Sequence, residues 1–203
     1  WNEAPPYGDD GKWMAEQARR LKIPLPADDD GSDMTLRLRY QVYRSRQIFE
    51  LFQAEMKALK IDPRRLVRVI ASQASFFDRI RFTLDYKFPD GRFGYQHADA
   101  LAVAPYFAGL WTDKESELAE HRWTVDEVLD YAECSVTELA QAPAKCKKIP
   151  FEPVAKIIRG DWEMAKARGL RRLGYEGGQH MVAGNGHPNP MEKLATGKRA
   201  RGM

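Results

Sequence analysis

Leu66-Val67-Arg68-Val69-Ile70-Ala71-Ser72-Gln73 is the stretch on which the fold turns. It is a short, partly β-branched run that follows a helical segment and closes on polar residues, which is the character of a strand in a parallel sheet. Upstream, Leu38, Val42, Ile48, Phe49, Phe52, Met56 and Leu59 keep helical spacing and predict a long helix from about residue 34 to 60. Asp33 is placed to accept from its free amides, and Ile61-Asp62-Pro63 ends it. Further upstream, Trp13, Met14, Gln17, Ala18 and Leu21 give a short amphipathic helix. Pro24-Leu25-Pro26 and the acidic turn Asp28-Asp29-Asp30-Gly31-Ser32-Asp33 stop it.

Downstream, residues 76–86 suit a short helix and Pro89-Asp90-Gly91 a turn. A second strand is expected over Ala98-Asp99-Ala100-Leu101-Ala102-Val103-Ala104-Pro105-Tyr106. Thr124-Val125-Asp126-Glu127 has the spacing of a capping box and opens a helix to about Gln141; a basic loop lies between Pro143 and Pro150. A helix over 153–167 then ends at Gly169, and Leu170-Arg171-Arg172-Leu173-Gly174-Tyr175-Glu176 reads as a third strand entering Gly177-Gly178-Gln179-His180. Strands separated by whole helices need crossover connections, so the class is α/β with a parallel sheet. Three strands leave two unpaired edges, and a full eight-stranded barrel takes roughly 250 residues. The fold therefore calls for an N-terminal half outside this chain, a second chain, or a partial barrel with helices over its edges.

At 203 residues, 43% hydrophobic and 30% charged, the chain can bury one sizeable core and is not disordered in composition. Its 32 Lys and Arg against 29 Asp and Glu leave a net charge of only +3 with interspersed signs, which argues against a nucleic-acid partner. The basic run Lys198-Arg199-Ala200-Arg201 falls in a stretch, 191–203, read as a flexible tail after a domain over 1–190. No stretch approaches the ~20 apolar residues that cross a bilayer, so no membrane partner is expected. Cys134 and Cys146 are too few for a disulfide scaffold and lack zinc-site spacing, and their redox state stays open. The chain begins at Trp1 rather than Met and carries no signal-like start, as a processed or truncated polypeptide would.

In barrels, reactive groups sit where strands end at their carboxyl edge. Here those ends are Ser72-Gln73, Pro105-Tyr106 and Tyr175-Glu176. Glu176 is the leading catalytic carboxylate: Tyr175 is expected to shield it from water, and two following glycines let a ligand approach the backbone. The competing reading is a structural carboxylate paired with Arg68 or Arg171. Glu176, His180 and His187 lack the spacing of a helical zinc motif, so no metal is expected. The glycines from 177 to 186 follow an acid and precede no clear helix start, which disfavours phosphate. No cofactor is expected.

Taken in order, Trp1-Asn2, Tyr43-Arg44-Ser45-Arg46-Gln47-Ile48-Phe49, the two strand runs at 66–73 and 98–107, and Tyr175-Glu176-Gly177-Gly178-Gln179-His180 resemble successive blocks of bacterial cellulose-binding-domain-like proteins with a glycosidase-type barrel. The resemblance covers nearly the whole chain. It implies a partial (β/α)8 TIM barrel in which the three strands correspond to about the fifth to the seventh, and an N-terminal half of the barrel missing from this chain. It implies a retaining glycoside hydrolase with Glu176 in the nucleophile's position. Trp1-Asn2 then follows an Asn-Glu dyad whose acid/base precedes the chain, or Asn2-Glu3 is itself that dyad and Glu3 the acid/base. The resemblance further implies that Tyr106 donates its hydroxyl to Glu176. Gln73, Gln179 and His180 offer groups to sugar hydroxyls, and Trp111 with Phe107 offers a stacking face. The partner would be a polysaccharide or oligosaccharide, in an extracellular or periplasmic setting. The alternative is a non-catalytic carbohydrate-binding protein that keeps the barrel cleft.

Overall fold

Short strands separated by helices carry the chain in the computed structural model, which describes residues 9–24, 31–74, 76–107, 124–136, 144–148 and 154–179. In chain order the elements are α1 (Asp9–Arg20), α2 (Asp33–Ala58), β1 (Val69–Ala71), α3 (Phe77–Leu84), β2 (Ala100–Val103), β3 (Tyr106–Phe107), α4 (Val125–Val136), α5 (Val154–Lys166), β4 (Arg171–Gly174) and β5 (Gly178–Gln179). The chain divides into two units, one of Trp1–Val103 with Asp161–Tyr175 and one of Ala104–Gly160 with Glu176–Met203.

The first unit holds a three-stranded sheet in the order β1-β2-β4, with both pairings parallel. The class is thus mixed helix and strand around a small parallel sheet. Ile70, Leu101 and Arg172 share one register row, as do Ala71, Ala102 and Leu173. β2 is buried at all four positions because it has a strand on each side, whereas β4 is mostly exposed. Ile70, Leu101 and Val103 join Leu36, Tyr40, Val42, Ile80 and Leu84 of α2 and α3 in one core. Fully burying a side chain such as Leu101 contributes about 1.5–3 kcal/mol.

α2 differs from its prediction at its start. Ser32, not Asp33, is the N-cap: its Oγ accepts from Thr35 N at 3.3 Å, while Asp33 in the first turn pairs with Arg19. Residues 35–42 of α2 are all buried, Arg37 and Arg39 included. Arg39 donates to the Phe82 carbonyl and lies over the Phe82 and Tyr86 rings, at 5.6 and 5.3 Å from their centroids, which offsets part of the cost of burying its charge. The helix ends with Leu59, Lys60 and Ile61 amides donating to the carbonyls of Glu55, Lys57 and Met56.

Each predicted strand is present but shorter. Ahead of β1, Pro63–Arg65 forms a 3-10 turn capped by Asp62, and the Arg68 amide goes to the Asp99 carboxylate at 2.8 Å rather than to a ladder. The second run is split: Pro105 has no N–H to give, and Tyr106 N turns back on Ala104 O at 2.9 Å. β3 therefore leaves the three-stranded sheet and pairs in parallel with β5 in the second unit. The third run ends at Gly174, with Tyr175 N still bonded to Val103 O at 3.2 Å.

In the second unit the capping box forms as its spacing predicts. Thr124 N and Oγ1 donate to Glu127 Oε2 at 2.7 and 2.8 Å, and Glu127 N returns to Thr124 Oγ1 at 3.3 Å. The predicted end of that helix near Gln141 lies outside the described residues. Within the expected basic loop, Ala144–Lys148 is a 3-10 turn. Cys146 of this turn is bonded to Cys134 of α4, with Cα atoms 5.3 Å apart. The expected tail at 191–203 also lies outside the described residues.

Candidate functional site

Pro105 and Gly178 are the residues that assemble the candidate site. By breaking the second strand run, Pro105 frees Tyr106 and Phe107 to form β3, whose partners are Gly178 and Gln179. Gly178 has φ +138, a conformation that residues with a Cβ rarely adopt, so a glycine here lets the chain turn from Glu176 into β5. The short β3–β5 pair sets Tyr106 beside the residues just ahead of β5. The result is a hydrogen bond from the Tyr106 hydroxyl to Glu176 Oε1.

This bond fixes one carboxylate oxygen and leaves the other as an acceptor. Glu176 is exposed, and Tyr175 is 41% exposed, so the expected shielding of the acid by its neighbouring ring is not what the structure has. β4 stops at Gly174, so Tyr175 and Glu176 lie past the strand, and both are exposed. Of the two alternative partners, Arg68 and Arg171, Arg68 is committed elsewhere: its Nη2 and Nε donate to Asp99 Oδ1 and Oδ2 at 2.7 and 3.0 Å. That fork holds the Asp99 carboxyl below its ordinary range.

No protein family, curated protein or solved structure matches the chain.

Of the residues singled out from sequence, Tyr106 and Glu176 come together. Phe107 follows Tyr106 in β3 and is partly buried. Gln179 lies in β5 opposite Phe107. Gln73 belongs to the first unit, where it accepts from Arg79 Nη1, and Arg79 in turn lies 3.9 Å over the Phe76 ring. Glu3, Trp111 and His180 lie outside the described residues. Among the described residues no group of three or more His, Cys, Asp or Glu converges as a metal site, and no helix is long and apolar enough to cross a membrane.

Sequence reasoning missed the Arg68–Asp99 fork, although an Arg and an Asp each just ahead of adjacent parallel strands was the available signal. It also left the cysteines open. Their bond ties α4 to the 144–148 turn, and Lys145 reinforces the tie through Asp130 at 2.9 Å and Glu133 at 2.8 Å. Beside Cys134 on α4, Tyr131 is buried, which pushes its phenol up to about 12.

Proposed function

We propose that the chain is part of a carbohydrate-active (β/α) barrel of glycoside hydrolase type, with β1, β2 and β4 as about the fifth to seventh barrel strands and Glu176 as the nucleophile. The observation that carries this reading is the hydrogen bond from Tyr106 to Glu176. A nucleophilic carboxylate needs one oxygen aimed at the anomeric carbon, and a phenol on the other oxygen holds that aim. Sequential order and parallel pairing of the three strands support the barrel part of the reading.

Retention requires a second carboxyl group about 5–5.5 Å from the first. Glu3, or an acid ahead of Trp1 in the parent protein, fills that role in this proposal. The buried Cys134–Cys146 bond supports action in an oxidising compartment outside the cytoplasm. A 2-fluoro glycoside that traps the covalent intermediate should label Glu176 in the parent protein, as read by mass spectrometry of its peptides. Label on a different carboxylate would sink the assignment.

The exposure of Glu176 favours a second reading, a non-catalytic carbohydrate-binding protein, because a carboxylate in water can accept from sugar hydroxyls without a dry reaction site. Unchanged oligosaccharide affinity in Glu176→Gln, with no hydrolysis by the parent on a glycan panel, would decide for the binder.

A further inference from the structure

A cleft of about 740 Å³ opens in the first unit at the amino-terminal edge of β1 and β2, lined by the end of α2, the 61–66 turn, Arg68 and Asp99. It is at the other end of β1 from Gln73, and it owes nothing to Glu176. Its size falls in the range of small-molecule sites, about 300–1,000 Å³. Met56, Ile61, Pro63 and Leu66 supply apolar lining.

The charges of the lining settle what it would accept. Two carboxylates are present, and each is already neutralised by an arginine fork. Asp62 receives Arg64 Nε at 3.1 and 3.0 Å on its two oxygens and Nη2 at 2.7 Å. Asp99 receives Arg68 through Nε, Nη2 and the backbone amide. Lys57 and Lys60 remain, and among the described residues neither ammonium has an ion pair or side-chain hydrogen bond. The carboxyl end of α2 does not neutralise them either. The carbonyls of Glu55, Met56 and Lys57 are taken by the amides of residues 59, 61 and 60, and the helix end carries a partial charge of only about −0.5 against two whole positive charges.

We propose that this cleft binds a small amphipathic anion, a carboxylate on an alkyl or aromatic body, with the body over Met56 and Leu66 and the charge at Lys57 and Lys60. A cation would meet like charge. A neutral sugar would find both carboxylates already engaged as acceptors. The proposal rests on the first unit alone and stands whether or not Glu176 is catalytic.

The Met56 methyl group reports directly on the cleft. With the full chain labelled at methionine methyl carbons and the Met56 resonance assigned through Met56→Leu, octanoate below its micelle concentration is titrated against octyltrimethylammonium and octyl glucoside. Octanoate should move the Met56 signal saturably and more tightly than either other probe, and added salt should weaken it. The double variant Lys57→Gln/Lys60→Gln should raise the apparent Kd at least tenfold. Both lysines are exposed, and an unchanged circular dichroism spectrum confirms that the variant folds. Absence of a saturable shift, equal binding of the cationic probe, salt-independent binding, or an unchanged Kd in the folded double variant would each overturn the proposal.

Discussion

His97 is 5% exposed, lies edge-on to Phe88 at 4.9 Å between ring centroids, and its Nε2 has no hydrogen-bond partner among the described residues. Burial, and then the guanidinium groups of Arg46 and Arg92, hold its pKa below the ordinary 6.5 against the smaller opposing pull of Asp90 and Glu50. Unfolding returns the ring to its ordinary value. The unfolded chain therefore binds a proton that the folded chain resists, so this contribution is complete above about pH 6.5 and is lost as pH falls through the lowered value. Thermal scans should show Tm level from pH 8 to 7 and declining from 6.5 toward 4.5, with the step reduced in His97→Phe. An identical decline in the variant would refute the assignment. Asp90, held at about 2 by Arg92, and Asp99, lowered by Arg68, lose their contributions only below about pH 5, so the decline between pH 6.5 and 5 is the part that reports on His97. At the candidate site, Tyr106→Phe removes one hydroxyl from a partly exposed ring and should change stability by no more than about 0.5 kcal/mol. In a catalytic parent it should nevertheless lower kcat by roughly tenfold or more, since a misaimed nucleophile loses positioning; a kcat within twofold of the native value counts against the Tyr106–Glu176 bond as part of the machinery. Glu176 and Tyr106 were legible as chemistry-bearing residues because each closes a strand-like run with a polar group. Lys57 and Lys60 were not, since lysines at a helix end ordinarily signal only a solvated terminus.

At the scale of elements, the positions of strands and helices were written in apolar periodicity, and their lengths were not. Residues 98–106 look like one strand because Ala104 and Pro105 are as apolar as the residues before them. The missing N–H of Pro105 and the turn at Ala104 divide the run into β2 and β3, and the pairing of β3 with a two-residue β5 has no hydropathy signature at all. The cap of α2 shifted by one residue for a similar reason: Ser32 and Asp33 can both accept, and Arg19 claims Asp33. The Cys134–Cys146 bond was illegible because a separation of 12 residues suits either free thiols or a bridge. Its energetic weight is testable within the second unit. Closing a loop of this size is worth about 2–4 kcal/mol, mainly by restricting the unfolded chain. Reduction should accordingly raise the rate of tryptic cleavage after Lys145 by roughly 30-fold or more when opening is fast relative to cleavage. Cys134→Ser should reproduce that rise without reductant. Equal cleavage rates in the oxidised and reduced chains would show that the salt bridges of Lys145 to Asp130 and Glu133 suffice to hold the turn.

For the whole molecule the informative asymmetry is between β2 and β4. β2 has a strand on each side and no exposed residue, so its amides at Leu101, Ala102 and Val103 should exchange with solvent only through global opening of the first unit. β4 is bonded on one side: Arg171 N reaches Asp99 O at 3.1 Å and Tyr175 N reaches Val103 O at 3.2 Å, and alternation along a parallel strand places Leu173 N with them. The Arg172 and Gly174 amides then face the other edge, where no strand pairs among the described residues. Hydrogen exchange of this chain should leave Leu173 protected and Arg172 and Gly174 fast, by two orders of magnitude or more if the protected amide opens at a cost of about 3 kcal/mol. The same measurement weighs the barrel reading. In a closed barrel a further strand pairs with β4, because closure is what removes an edge. If, as proposed, the chain is part of a longer barrel protein, the Arg172 and Gly174 amides should slow there to the level of Leu173. Fast exchange at both positions in the parent as well would leave β4 a true edge, and the small parallel sheet would have to be explained as an open one.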